Sequence, residues 1–278
     1  MTPTIIALVL CAALLHASWN AVLRSGADRL WSIAVMSLAS GVVSVPAVLV
    51  LALPAAPSWP YILLSAALHV GYNLFLVSAY RHGELGQVYP VARGSSPLLV
   101  TLGAALFAGE RLGLPALLGV TFVSLGIISL ARGKGSARPV SIGTALATGI
   151  FIAGYTVTDG IGARLSGDPQ AYSAWLFLLD GLPMPLIYLL RRGRFTIDLR
   201  APETLKSAFG GVISLIAYGL IIWAVSLGPM GPVSALRETS VVFAALIGRY
   251  FLSETLTARR LAACAVIAFG AFCLGYPA

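Results

Sequence analysis

The sequence has very little charge. Only 10% of its 278 residues are Asp, Glu, Lys or Arg, whereas a soluble domain carries about 25%. Hydrophobic residues make up 58% of the chain, and a soluble fold of this size still needs a polar exterior. Apolar runs of about 18 or more residues recur from end to end, and each can cross a hydrocarbon layer about 30 Å thick. These features exclude a soluble fold and predict an all-α membrane protein.

Enzyme motifs are also missing. The sequence has no His-Glu-x-x-His, no Gly-x-Ser-x-Gly and no phosphate-binding P-loop. Its three cysteines lie inside apolar runs without metal-site spacing, as small hydrophobic residues do. Asp159 and Asp180 fall on successive runs, as in intramembrane aspartyl proteases, but residues 178–181 read Leu-Leu-Asp-Gly rather than that class's Gly-x-Gly-Asp. We expect no enzyme activity, no cofactor and no metal.

The net charge of +8 would suggest nucleic acid as the partner of a soluble protein. Here the basic residues occupy short joints between apolar runs, with few aromatic residues beside them to stack on bases. Anionic lipid headgroups are the better partner, and we expect no nucleic acid. The first run has no basic segment before it and contains polar residues, so we expect a retained helix rather than a cleaved signal peptide.

Hydropathy predicts ten transmembrane spans, separated by joints that contain Gly, Pro and charged residues. They lie near residues 3–23, 31–53, 59–80, 85–108, 113–131, 141–163, 171–190, 206–227, 232–252 and 258–276. Gly119 and Gly126 are seven positions apart on the fifth span, so they share a face and are predicted to pack closely against another helix.

The chain contains an internal repeat at a shift of 144 residues. Arg93 then aligns with Arg237, and Glu110 aligns with Glu254. A shared Arg followed at equal distance by a shared Glu is far less common by chance than matching apolar runs. We predict two related halves, 1–135 and 136–278, with five spans each. Because five is odd, the second half is expected to be inverted in the membrane, as in transporters that alternate access around a midplane site.

The joints differ in charge on the two predicted sides of the membrane. The basic side carries most of the Lys and Arg, and the alternate side carries only Arg111 and Arg164. The basic side is expected to be cytoplasmic, which leaves both termini outside the cytoplasm.

Arg93 lies about 12 Å into its span, with Tyr89 one turn before it. Arg237, its repeat mate, has Glu238 beside it. Two interpretations stay open: the arginines line a cavity near the pseudo-twofold axis, or they form structural ion pairs with Asp159, Asp180 or Glu238.

Two polar stripes occur at matching places in the halves. His16, Trp19 and Asn20 are spaced i, i+3, i+4 on the first span, and Tyr155, Thr158 and Asp159 repeat that spacing on the sixth. This match favours one shared cavity, with hydrogen bonding between helices as the alternative.

Further polar and aromatic residues lie inside other spans. They are Tyr72 and Asn73 on the third, Asp180 on the seventh, and Tyr218 and Trp223 on the eighth. The aromatic rings could sandwich an organic substrate or serve as packing.

Acidic residues divide into two groups. Asp159, Asp180 and Glu238 are candidate carriers of a coupling proton, because burial favours the neutral form of a carboxyl group. Glu110 and Glu254 lie at span ends, where each is predicted to cap backbone N–H groups or the positive end of the following helix.

These features resemble the drug/metabolite transporter superfamily, and its EamA-type permeases in particular. The resemblance rests on the ten-span duplicated plan, on the pattern from Tyr89-Pro90 through Arg93 to Glu110, on its echo after Arg237, and on the opening His-Ala-Ser-Trp-Asn at 16–20. It implies a basket of helices around a central cavity and the transport of metabolites such as amino acids, nucleosides or sugars.

We therefore expect a secondary transporter of the cell inner membrane that carries a small, anionic or zwitterionic metabolite, with proton coupling as a hypothesis. A non-transporting membrane subunit or lipid-binding scaffold is the alternative. The candidate substrate-binding residues are His16, Trp19, Asn20, Tyr72, Asn73, Tyr89, Arg93, Tyr155, Asp159, Asp180, Tyr218, Trp223, Arg237 and Glu238.

Overall fold

The structure is a computed structural model that describes residues 1–24, 28–82, 85–131, 139–251 and 257–275. Within these ranges the regular structure is helical throughout, with one short 3₁₀ turn at Ala56–Ser58. The α-helices are α1 (Pro3–Arg24), α2 (Arg29–Val50), α3 (Trp59–His82), α4 (Leu85–Phe107), α5 (Leu114–Ile128), α6 (Pro139–Leu165), α7 (Pro169–Asp180), α8 (Pro183–Arg192), α9 (Pro202–Leu227), α10 (Met230–Arg237), α11 (Ser240–Phe251) and α12 (Ala258–Gly275).

Eight of the ten predicted spans coincide with one helix each, and two are divided. The seventh predicted span consists of α7 and α8. Prolines cause this break, because Pro183 and Pro185 have no N–H to donate to the carbonyls four residues earlier. The chain kinks at Gly181–Leu182, immediately after Asp180.

The ninth predicted span consists of α10 and α11, which meet at Glu238–Thr239. Here the backbone hydrogen bonds join residues three positions apart, as in a 3₁₀-helix. The Glu238 N–H donates to Ala235 O at 3.0 Å, and the Thr239 N–H donates to Leu236 O at 3.1 Å. Such 3₁₀ stretches inside a helix are common at hinges. Glu238 therefore lies at the point where this span changes its winding.

Five helical segments of the described chain are long and apolar enough to cross a membrane: Arg29–Val50, Pro169–Arg192, Pro202–Leu227, Met230–Ile247 and Ala258–Gly275. Two shorter apolar helices are Pro3–Trp19 and Leu114–Ile128. Many large apolar side chains face outward; Val50, for example, is 84% exposed. An exterior of this kind is the surface that lipid covers.

Helix packing follows the sequence repeat. α3 packs on α6, and α1 packs on α9. These two contacts are equivalent, because the repeat relates α1 to α6 and α3 to α9. Three further pairs, α2 with α7, α4 with α10, and α5 with α12, join a helix to its own repeat mate. This pattern is the one expected around an approximate twofold axis, with the mated pairs lying along it.

Glycines allow the close approach of α5 and α12. A Cβ added at Gly119 would lie 2.7 Å from Leu274 Cδ2 and 2.9 Å from Gly270 O. One added at Gly126 would lie 2.8 Å from Ile267 Cγ1. The predicted packing role of both glycines is confirmed, because no larger residue fits between these helices.

The contact of α2 with α9 provides a matched pair of substitutions. A Cβ at Gly211 would overlap the backbone carbonyl of Met36, whereas a Cβ at Gly219, two turns further along α9, would meet nothing within 4 Å. We predict that Gly211→Ala lowers stability by about 1–3 kcal/mol through overpacking. Gly219→Ala is expected to be neutral or slightly stabilising, since alanine is the better helix former.

Thermal unfolding of the two variants in detergent checks this prediction. Equal melting temperatures would show that the α2–α9 contact yields easily and that these helices are not tightly packed.

Candidate functional site

A cavity of about 120 Å³ lies inside the helix bundle. Its wall is formed by side chains from α1, α2 and α3 of the first half and from α6 through α10 of the second. On the same measure one water needs roughly 10–15 Å³, so the space suits a molecule of roughly ten non-hydrogen atoms. Both halves of the chain contribute to a single chamber.

The structure brings many of the predicted site residues to this chamber. Those that line it are His16, Trp19, Tyr72, Asn73, Tyr155, Asp180, Tyr218 and Arg237. Three lie behind the wall and are buried: Arg93, Asp159 and Glu238. Tyr89 is half-buried beside Arg93, with its ring centroid 5.9 Å from the guanidinium carbon.

One predicted site residue does not reach the cavity, and another cannot be placed. Trp223 is 36% exposed on α9 and does not line the chamber. The side chain of Asn20 lies outside the described part of the chain.

The polar stripe of α1 faces the cavity. Trp19 Nε1–H donates to His16 Nδ1 at 3.2 Å, and the two rings meet edge to face at 5.0 Å. This contact makes Nδ1 an acceptor and fixes the orientation of the His16 ring. The i, i+3 spacing that identified the stripe is therefore also the spacing of its internal hydrogen bond.

The matching stripe on α6 divides between the cavity and the helix interior. Tyr155 lines the chamber, whereas Asp159 is fully buried. Tyr172 O–H donates to Asp159 Oδ1 at 2.9 Å, and Tyr218 O–H donates to Oδ2 at 2.5 Å. Both carboxylate oxygens thus receive a hydroxyl donor, so Asp159 joins α6 to α7 and α9 and stiffens the wall behind Tyr155.

The repeat-related arginines share one carboxylate. Arg93 Nε lies 2.9 Å from Glu238 Oε2, and Arg237 Nε lies 3.6 Å from Glu238 Oε1. All three side chains are at most 3% exposed. The arginines form an ion-pair cluster with Glu238, and Arg237 also lines the cavity, so the geometry is compatible with both interpretations left open by the sequence.

This cluster carries more positive than negative charge. Two guanidinium groups share a single carboxylate, and both Nη2 atoms are buried with no hydrogen-bond partner within the described residues. Unsatisfied donors of this kind favour an anionic or acceptor group nearby. Arg237 is the member of the cluster that can offer this charge to a molecule in the chamber.

Sequence reasoning missed His69. Its ring stacks on Tyr155 with centroids 4.1 Å apart and an interplanar angle of 18°, and its Nδ1 lies 3.6 Å from Asp180 Oδ2. A signal was present: His69, Tyr72 and Asn73 repeat the i, i+3, i+4 spacing of the stripes on the first and sixth spans. Tyr72 and Asn73 were identified from the sequence without His69, so the three residues were not recognised as a third stripe.

An ion pair joins the two halves at one end of the bundle, where α4, α6 and α9 end and α10 begins. Arg164 Nη2 donates to Glu110 Oε1 at 2.6 Å and to Gly228 O at 2.7 Å. Met230 N–H donates to Glu110 Oε2 at 2.9 Å. We call this arrangement the Glu110–Arg164 clamp.

The clamp shows which helix Glu110 caps. The carboxylate caps α10 in the other half of the chain rather than α5, whose N-cap Gly113 makes no side-chain hydrogen bond. The predicted capping of backbone N–H groups is therefore confirmed for Glu110, but the capped helix is not the following one, because the fold brings a different helix N-terminus closer. Glu254, the repeat mate, lies outside the described residues.

A buried apolar cluster fills the bundle at the clamp end. It includes Ile5 and Val9 of α1, Ala104 of α4, Val225 of α9 and Met230 of α10. The cavity lies further along the bundle, at the level of residues 12–19 of α1 and 33–40 of α2. The chamber is thus separated from the clamp end by packed side chains.

Comparison with known proteins agrees with this architecture. The model of the EamA-like transporter family matches the chain twice, at residues 3–132 and 140–276. A solved crystal structure is similar over 98% of this chain and 96% of its own, with a TM-score of 0.78 and 20% sequence identity, which shows the same fold. No curated protein matches.

The shared carboxylate generates a prediction about stability. Glu238→Gln leaves two buried guanidinium groups without their anion, so we expect a loss of about 3–5 kcal/mol. Arg93→Gln is expected to cost less, because Glu238 keeps Arg237 as a partner. Glu203→Gln, at an exposed position of α9, is the control and is expected to have little effect.

Melting temperatures in detergent test this order. If Arg93→Gln destabilised the protein as much as Glu238→Gln, the idea that one carboxylate compensates both arginines would be wrong.

Proposed function

This chain belongs to the EamA-like transporter family of the drug/metabolite transporter superfamily, and on that premise we propose that it carries a small polar metabolite across the cell inner membrane. Members of the family are multi-pass membrane transporters rather than enzymes. The observation that carries the proposal is the chamber itself, in which polar side chains from both halves meet inside an apolar helix bundle. Buried polar groups in a membrane are costly and usually functional.

The charges at the chamber support an anionic or zwitterionic substrate. Arg237 belongs to a cluster with excess positive charge, and Asp180 offers a carboxylate in the same wall. Tyr72, Tyr155 and Tyr218 provide aromatic surface with hydroxyl groups. A small molecule with a carboxylate or phosphonate group and, in the zwitterionic case, an amine would satisfy these groups together.

The proposed topology keeps ten spans in two inverted halves, 1–135 and 136–278. The twofold pattern of helix packing supports this arrangement, with the divided helices α7–α8 and α10–α11 each counted as one span. The clamp end is the side with few basic residues, so it would face away from the cytoplasm, together with both termini.

The unequal ends of the bundle support transport by alternating access. The Glu110–Arg164 clamp and the apolar cluster close one end, so solute would reach the chamber from the other side. For release on the clamp side, the clamp has to open and the halves have to rock about the mated helix pairs. No nucleotide site is implied, so the driving force would be a solute or ion gradient.

Binding of solutes to the purified protein tests the proposal. We predict that one chemical class among amino acids, nucleosides, sugars and phosphonates raises the melting temperature, since a ligand at a hundredfold excess over its Kd adds about 2.7 kcal/mol. Arg237→Gln is expected to abolish the shift because it removes the cation in the wall. Arg249→Gln, at an exposed position of α11, is the control and should retain the shift.

The same experiment can contradict the proposal. A cooperative melt that no solute shifts, together with no solute flux into proteoliposomes, would favour the non-transporting subunit or lipid-binding scaffold.

The clamp supplies a test of alternating access. In a background without the native cysteines, Ala104→Cys places a thiol in the buried cluster at the closed end. We predict that Glu110→Gln increases its labelling by a membrane-impermeant maleimide roughly 5–30-fold, because losing about 1–2 kcal/mol of charged hydrogen bonding shifts the population towards the open form.

Arg192→Gln is the matched control for the clamp. It removes another arginine–carboxylate pair, with Asp28 at 3.9 Å, but that pair is exposed and lies away from the clamp. Unchanged labelling in Glu110→Gln would mean that the clamp does not control this end.

A further inference from the structure

The three buried carboxylates at the chamber differ in their partners. Asp159 receives a tyrosine hydroxyl at each oxygen, and Glu238 lies between two guanidinium groups. Asp180 is different: its Oδ1 is buried without a hydrogen-bond partner among the described residues. Its Oδ2 lies 3.6 Å from His69 Nδ1. The oxygens of Glu238 also lack a hydrogen bond among these residues, but two guanidinium groups lie beside them. Asp180 has only a histidine as its ion-pair partner and is therefore the carboxylate whose ionised form is least well compensated by the described part of the protein.

The position of His69 beside Asp180 allows the two side chains to share a proton. His69 Nδ1 lies 3.0 Å from Ser65 O and 3.2 Å from Ser65 Oγ, so in the neutral ring it either donates to the carbonyl or accepts from the hydroxyl, with Asp180 close by. The His69 and Asp180 side chains are 15% and 17% exposed, and both line the cavity. Water in the chamber can therefore deliver a proton to the pair and accept one from it.

Other titratable groups face the pair from neighbouring helices. Tyr155 and Asp159 come from α6, Tyr218 comes from α9, and Arg237 comes from α10. Across the chamber, α1 contributes His16, and α2 contributes only serines and apolar residues. The tyrosines are neutral hydroxyl donors at ordinary pH, so the charges that decide the balance are those of the arginines and carboxylates.

The charge count favours one bound proton. Arg93 and Arg237 supply two positive charges, whereas ionised Asp159, Asp180 and Glu238 supply three negative ones. One proton on the pair of His69 and Asp180 brings the buried set to neutrality, which a medium of low dielectric constant favours strongly. Neutrality is reached whether this proton lies on the ring or on the carboxyl group.

We propose that His69 and Asp180 form one exchangeable proton site in the wall of the transport chamber. The proton comes from water in the chamber, breaks no covalent bond of the protein and returns to water when it leaves. If the protein is the transporter proposed above, on which this step rests, the pair couples transport to a proton gradient. A cationic group of the substrate that approaches Asp180 replaces the proton, so substrate and proton are exchanged across the membrane. Asp159 and Glu238 hold the wall together and do not carry this proton.

The proton itself is the probe for the first test, so no substrate needs to be known. Infrared difference spectra of the full-length protein in detergent, between about pH 5 and pH 8, report protonated carboxyl groups through their C=O stretch. We expect a carboxyl band that disappears in Asp180→Asn and moves its titration midpoint in His69→Gln. Asp198→Asn, at an exposed position near the start of α9, is the control and should leave the band unchanged.

Two further variants keep the result interpretable. Asp180→Glu restores a carboxyl group and is expected to restore the band if Asp180→Asn is folded poorly. Asp159→Asn is expected to retain the band, because Asp159 is satisfied by hydroxyl donors. A band that persists in Asp180→Asn, or that is lost only in Asp159→Asn, would overturn the assignment of the proton to this pair.

Coupling is tested separately from proton binding. A solute that stabilises the protein should release about one proton per protein into weakly buffered solution, and Asp180→Asn should abolish this release while solute binding persists at reduced affinity. Proton binding without any stabilising solute would preserve the site and contradict the transport function. Solute binding without proton release would preserve transport and contradict the coupling.

Discussion

Two buried arginines depend on a single glutamate at the centre of this protein. Arg93 and Arg237 are repeat mates, and both reach Glu238 at the place where α4 meets α10 on the approximate twofold axis. In an interior without bulk water, neither guanidinium group can be left without an anion. The ion pair of Arg93 with Glu238 joins α4 to the end of α10, and Glu238 lies where the winding of the ninth span changes. The twofold symmetry is broken here, because Arg237 is followed in the sequence by Glu238, whereas Arg93 is not followed by an acidic residue.

The rest of the bundle divides into a rigid frame and a polar interior. Glycines at the α5–α12 and α2–α9 contacts bring backbones together, and these contacts define the frame. Inside it, Asp159 with its two tyrosine donors supports one side of the chamber, and the arginine cluster supports the other. The pair of His69 and Asp180 also lines this chamber, and Asp180 has neither an arginine nor a hydroxyl partner within the described residues. Asp159 and Glu238, which have hydroxyl or arginine partners, thus contribute to the same site as Asp180, which has only a histidine beside it.

Much of this site could be read from residue spacing, because a helix turns polar residues at i, i+3 and i+4 onto one face. His16, Trp19 and Tyr155 were identified in this way and do reach the cavity. Trp223 was grouped with Tyr218 although the two lie five positions apart on α9, and they face in different directions. His69 belongs to a stripe of the same form and was missed. Distances between helices, such as the one from His69 to Asp180, have no counterpart in the spacing of one helix.

The sequence by itself determined the helical class, the positions of the apolar segments, the repeat and the family, because hydrophobic length and periodicity are local properties of the chain. It also indicated that Arg93 and Arg237 are related. Only the tertiary structure decided which carboxylate they share, that Glu110 caps a helix of the opposite half, and which of the three candidate acids has a histidine, rather than arginines or tyrosine hydroxyls, beside it. These outcomes depend on contacts between residues more than fifty positions apart in the chain. Such contacts follow from how the helices pack, and many packings are compatible with the same hydrophobic pattern.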